Sequence, residues 1–135
     1  MSQADASDDV RELGEAAIAA LNTEDLEAFK ALMASDVQFT SMVAEAEGAT
    51  FHGHEGIDQW WDTVRGAFEE IEWELLDVRG RDDRVVAHLR LTGTLSGVPV
   101  EQTMWQAVKR RGGKMTWWAF FRTEREALEA AGLRE

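Results

Sequence analysis

The side chains able to do chemistry in this chain are few: His52 and His54, His88 with Arg90, and Glu101. There is no cysteine and no tyrosine. Thiol nucleophiles, disulfides and phenolic donors are therefore excluded, and proton transfer would fall to imidazole, guanidinium or carboxylate groups. His52 and His54 stand two apart, which on an extended segment puts both imidazoles on one side. That spacing suits a metal ion only if a third ligand such as His88 or Glu101 joins them. No third ligand is marked by spacing, so no metal and no cofactor are expected. His54 precedes the most strongly periodic helix of the chain, and the amino end of a helix favours a neutral imidazole, able to serve as base or donor. The alternative role for His54 is local capping of that helix.

His88 and Arg90 fall in Val85-Val86-Ala87-His88-Leu89-Arg90-Leu91. Alternation sends Val85, Ala87, Leu89 and Leu91 to one face and leaves His88 and Arg90 on the other, towards solvent or a partner subunit. If the polar face instead lined a cavity, His88 and Arg90 would be the best acid-base pair available. Glu101 shares a strand face with Thr103 and Trp105. Exposure is its default, and inward burial would favour its neutral form and make it a candidate acid or base. Six of the twelve aromatic residues are tryptophans, each with a large surface to bury and an N–H that wants a partner. Trp117 and Trp118 are neighbours on a strand and must point to opposite faces. An inward Trp118 with Phe120, and with Trp60 or Trp61 above, would floor a pocket whose wall also takes in Phe39, Ser41 and Trp105. An outward Trp117 with Phe121 would form an exposed aromatic patch, a reason to expect a homodimer.

The elements that must position these groups follow from period and punctuation. A leader over residues 1–8 precedes a helix over 8–21 with Val10, Leu13, Ala17, Ile18 and Leu21 on one stripe, stopped at Asn22. Thr23 is placed to cap a second helix that buries Leu26, Phe29, Leu32 and Met33. Residues 37–42 alternate as a half-buried strand, and 49–51 suit a brief one. From Gly56, the residues Ile57, Trp60, Trp61, Val64 and Phe68 share one helical face. Four strand-like runs follow, over 71–78, 84–94, 98–109 and 114–123. Gly80 to Asp83, Ser96-Gly97 and Gly112-Gly113 separate them with turns short enough to force an antiparallel meander. Runs of this length must curl, which makes one face concave. Residues 124–131 form a closing helix with Gly132 as its cap. The fold expected is α+β: a cone-like half-barrel of a curled, mixed, mostly antiparallel sheet wrapped over three helices, as one domain over 1–135.

Composition narrows the partners. A net charge of −12 and a pI near 4.6 disfavour nucleic acid and anionic membrane surfaces. Lys109, Arg110, Arg111 and Lys114 surround Gly112-Gly113 and are expected to form a solvated hairpin tip. The start of the chain is polar and acidic, without the pattern of a signal peptide, and no run approaches a membrane span. A cytoplasmic protein is expected.

The chain resembles the nuclear transport factor 2-like superfamily, and within it the SnoaL-like branch that holds polyketide cyclases and ketosteroid isomerase relatives. The resemblance is carried by Ala20-Leu21-Asn22-Thr23-Glu24-Asp25-Leu26, Leu32-Met33-Ala34-Ser35-Asp36-Val37, Phe51-His52-Gly53-His54-Glu55-Gly56-Ile57 and Gly113-Lys114-Met115-Thr116. It implies a cone-shaped hydrophobic pocket and a homodimer through the outer face of the sheet. The isomerase relatives' base on the first strand and oxyanion donors on the first helix and penultimate strand match Ser41, Ala17 and Trp105 here, so that constellation is missing. Epoxide hydrolase relatives use an aspartate-arginine-aspartate set. Arg90 matches the arginine, but the last two strands carry no aspartate and hold Trp118, Ala119, Phe120 and Phe121 instead. Two functions are therefore expected: binding of a small hydrophobic, cyclic ligand, or cofactor-independent isomerase, cyclase or hydrolase chemistry using His54, His88, Arg90 and Glu101.

Overall fold

The first helix, α1 (Ser2–Asn22), starts upstream of the periodic run and ends at Asn22 as expected. Its last carbonyls are satisfied in a turn where Glu24 takes the left-handed conformation at φ 58°. The Asp25 N–H reaches the Ala20 carbonyl at 2.8 Å and the Glu24 N–H reaches that of Leu21 at 3.1 Å. Thr23 does not cap the second helix. Its hydroxyl donates to the Ala19 carbonyl at 2.8 Å and belongs to the end of α1. The cap of α2 (Leu26–Ala31) is Asp25, whose carboxylate accepts from the Ala28 N–H at 3.1 Å. This computed structural model describes residues 2–40, 50–81 and 83–133.

After α2 the chain alternates strand and helix once, through β1 (Met33–Thr40), β2 (Thr50–His52) and α3 (Gly53–Ala67). It then runs through β3 (Phe68–Arg81), β4 (Arg84–Leu95), β5 (Val98–Arg111) and β6 (Lys114–Phe121) to α4 (Glu124–Ala131). The helical stripe on α3 is as expected, with Ile57, Trp60, Trp61 and Val64 buried, but Phe68 has left the helix and opens β3. The six strands lie in the order β2-β1-β6-β5-β4-β3. β3 to β6 form the antiparallel meander, and β1 joins it by pairing parallel to β6, with Phe39 beside Trp118. The parallel pairing extends β1 back to Met33, opposite Met115, ahead of its expected start. β2 and β3 are left as free edges, so the curled sheet is an unclosed half-barrel.

The core fills the concave side. Trp60, Trp73, Trp118 and Phe39 are among the largest fully buried side chains. Phe39 stacks on Trp118 with ring centroids 4.2 Å apart, and Trp60 meets both edge-on at 5.9 Å, the offset and T-shaped arrangements that aromatic quadrupoles favour. A second, smaller core lies on the convex side, where α4 covers Val86 and Ala107 with Ala127, Leu128 and Ala131. α4 ends at Gly132, at φ 77°, as expected, and its amino end is capped by the Thr123 hydroxyl accepting from the Glu126 N–H. Apolar packing on both faces of β4 and β5 decides which expectations about strand parity hold.

Candidate ligand-binding site

Along β4, Val85, Ala87, Leu89 and Leu91 face the concave core, as alternation implies, while Val86 faces α4. On β5 the concave positions are Met104, Gln106 and Val108, so Trp105 and Ala107 lie on the convex face. Between α1 and the concave sheet lies a cavity of about 40 Å³. Val10, Leu13, Gly14, Ala17, Ile18 and Leu21 of α1 form one side of it. The sheet supplies Trp73, Leu75, Val78, Val85, Ala87, Leu89, Gln106, Val108, Trp118 and Phe120, and Trp60 reaches in from α3. That volume has room for only one or two water molecules, because the tryptophans occupy most of the cone. Among the described residues the wall holds no titratable side chain, and Gln106 contributes its one amide.

The backbone of Trp73 is held from outside the wall. At the end of α1, Asn22 meets the backbone of Trp73 on both sides: its Nδ2 donates to the Trp73 carbonyl at 2.8 Å and its Oδ1 accepts from the Trp73 N–H at 2.8 Å. β3 is an edge strand, and Asn22 completes it there much as a neighbouring peptide would. The indole Nε1 atoms of Trp73 and Trp118 are buried, and neither has a hydrogen-bond partner among the described residues. An indole N–H can only donate, so any partner must be an acceptor.

The residues expected in the pocket divide. Phe39, Trp60, Trp61, Trp118 and Phe120 are buried on the concave side. Trp60, Trp118 and Phe120 line the cavity, while Phe39 supports Trp118 and Trp61 lies against Trp60 at 5.8 Å. Ser41 lies outside the described residues. Trp105 is not in the pocket: it is on the convex face, where its ring stacks flat on His88 at 3.9 Å with 1° between the planes. The reason is the α4 helix, which buries the outer face of β5 and so makes an outward tryptophan favourable.

The proposed acid-base residues do not converge on the cavity. Arg90 is on the convex face beside His88, with Nη1 3.1 Å from Glu74 Oε1 and Nε 3.7 Å from Glu101 Oε2. Glu101 is exposed there. His54 sits within the first turn of α3 rather than before it, and its Nε2 lies 3.2 Å from the Met33 carbonyl. The ring thereby joins α3 to β1 beside a surface hollow that includes Lys30, Ser35, Asp36 and Lys114. The helix is capped at His52, whose side chain makes no capping hydrogen bond. Among the described residues no three of histidine, aspartate or glutamate stand together as a metal site. The basic hairpin tip is more structural than expected: Lys114 Nζ donates to the Ala31 carbonyl at 2.7 Å, and Lys109 lies over the Trp117 ring at 4.9 Å.

Sequence reasoning missed Gln106 and Trp73 as cavity residues and Asn22 as the clamp. The alternation Met104, Gln106, Val108 was available as a signal, but Trp105 outweighed it. Trp73 and Asn22 are 51 residues apart, and no local pattern joins them.

The comparisons bear on the fold. No curated protein matches the chain in sequence. TerC, co-crystallised with polyporic acid, superposes with a TM-score of 0.74 at 21% identity, over 91% of this chain and 97% of that one. A putative polyketide cyclase from Sinorhizobium meliloti gives 0.70 at 21% identity, over 85% and 98%. RV0760c from Mycobacterium tuberculosis, in complex with estradiol-17beta-hemisuccinate, gives 0.69 at 18% identity, over 87% and 95%. Among the described residues no helix is long and apolar enough to cross a membrane. The half-barrel with its parallel β1–β6 pairing agrees with a sequence match of residues 15–127 to the SnoaL-like domain, and on that match the chain belongs to the SnoaL-like family of the nuclear transport factor 2-like superfamily.

Proposed function

We propose that the cavity between α1 and the concave sheet binds a small, hydrophobic, cyclic molecule. The observation that carries this reading is a wall of aliphatic and aromatic side chains interrupted by one amide, the usual character of a small-molecule site. Two structural neighbours crystallised with small molecules, polyporic acid and estradiol-17beta-hemisuccinate, support it. The lack of a titratable group among the described wall residues favours binding over acid-base chemistry there. His54, His88, Arg90 and Glu101 would need a different site to act in.

A ring compound needs more than about 40 Å³, so uptake requires the wall to move. Asn22 pins the carboxyl end of α1 to β3, and the movement falls to the Val10 end, fastened by the exposed Arg11–Asp77 ion pair at 3.6 Å. The same reading places the protein in the cytoplasm as a homodimer through the convex face, where Trp105, Trp117 and Phe121 are half-buried beside α4.

The test is a titration with tetralin, a bicyclic hydrocarbon, followed by NMR. Shifts centred on Trp60, Trp118 and the methyl groups of Leu89 and Val108 are expected. Leu89→Trp, which fills the cavity, should abolish them. Shifts confined to the convex face, or none at all, would overturn the reading.

A further inference from the structure

The helix α1 is tied to the sheet along one side only. Asn22 holds the backbone of Trp73 at its carboxyl end, and Arg11 lies 3.6 Å from Asp77 further back, so both ties run to β3. Between them, Gly14 passes so close to β3 that a Cβ on it would stand 3.2 Å from Leu75 Cδ2. The backbone of α1 follows β3 and does not run along β5 or β6. Among the described residues no hydrogen bond or ion pair joins residues 10–22 to those two strands. Glu12 and Arg110 line one open hollow without pairing, and Arg110 Nε and Nη1 have no partner.

That hollow separates α1 from the tip of the β5–β6 hairpin: Glu12 and Leu13 line it from the helix, and Arg110, Arg111, Gly112 and Gly113 from the hairpin. Leu13 also lines the buried cavity, so at this point one side chain stands between the cavity and the outside. Met33 likewise touches both the cavity and a second hollow, but it is 2% exposed and fixed in β1, whose backbone pairs with β6. Leu13 is half-buried, on the unfastened edge of its helix.

We propose that α1 is a door hinged on β3, that Leu13 is its latch, and that ligands pass between Leu13 and the hairpin tip. The inference rests on the cavity being the ligand site and adds the route into it. Apolar contact alone closes this edge. Such contact is non-directional, so it parts and reforms without breaking a hydrogen bond. A gate changes the rates of entry and exit together, because it leaves the bound and free end states alone.

The chain has no cysteine, so a unique pair can be introduced. Glu12→Cys with Arg111→Cys, joined by a bifunctional thiol reagent, links the door to the hairpin across the hollow. Arg11→Cys with Asp77→Cys, joined in the same way, links it on the hinge side. All four positions are exposed, so the fold should tolerate the changes. Tetralin entry and exit are followed by stopped-flow tryptophan fluorescence, and its affinity by NMR titration. The link across the hollow should slow both rates about tenfold against the same variant unlinked, with affinity kept within about twofold, and the hinge-side link should leave both rates within about twofold. Leu13→Ala should speed entry and exit together, whereas loss of an ordinary wall contact would speed exit alone. Undiminished entry with the hollow linked overturns the door and leaves the cavity standing. Slowing by the hinge-side link alone would put the moving edge at β3 and overturn it equally. Failure of tetralin to bind the wild type overturns the cavity reading itself.

Discussion

Single side chains in this molecule act mainly by joining distant elements. Asn22 is the clearest case: its one amide satisfies both backbone groups of Trp73 on an open sheet edge. Asn22→Ala strips both partners, and unfolding in urea should show a loss of about 2 kcal/mol. Lys30 ties α2 to α3 through Asp58, with Nζ 2.8 Å from one carboxylate oxygen and 3.0 Å from the other. The hydrogen bond to Asp58 raises the Lys30 pKa above its ordinary 10.5, more than partial burial lowers it. A lysine whose pKa is raised on folding contributes its stability in full below the unfolded value and loses it as pH climbs through the folded one. The stability difference between wild type and Lys30→Met, about 0.2–1 kcal/mol for a partly exposed pair, should therefore hold at neutral pH and shrink above pH 10.5. Thermal melts across that range measure it. Asn22 was legible as a helix stop, but its partner was not, because a hydrogen bond between residues 51 apart leaves no local trace.

At the level of elements, the long β3–β4 hairpin carries the curl. Gly93 stands where β3 comes unusually close: a Cβ there would lie 2.3 Å from the Glu70 carbonyl oxygen and 3.1 Å from the Phe68 ring. The register slips by one residue between Phe68 and Glu70, just opposite. Gly93→Ala must push the strands apart, and a destabilisation of about 2 kcal/mol is expected, with faster amide exchange at Glu70 and Thr94. Glycine in a strand can be read as a sign of close approach. Which strand approaches is a matter of pairing. The meander itself was plain from its turns, since breaks of two to four residues between apolar runs permit only antiparallel neighbours. The parallel pairing of β1 with β6 was not, because it closes across most of the chain and no connecting turn announces it.

For the molecule as a whole, the two faces of the sheet differ in what packs on them. The concave face makes the cavity; the convex face carries α4, the Glu74–Arg90–Glu101 ion pairs and the His88–Trp105 stack. If two copies pair through that face, sedimentation should give twice the 15.2 kDa chain mass. Trp105→Glu, which sets a charge in the interface, should return the protein to that mass while leaving tetralin binding in place. A protein that sediments as one chain at all concentrations would remove the dimer. The sequence by itself determined the elements whose signals are local: the apolar stripes of α1 and α3, the meander, the end of α1 and the Gly132 cap of α4. It also carried the family likeness and the burial of Trp60, Trp118 and Phe120. Only the tertiary structure decided which way β5 faces, because alternation marks a face only when the other face meets water, and here α4 packs on the second face. It likewise decided the size of the cavity, for the same aromatic composition fills a cone or leaves it open according to how the rings stack on one another.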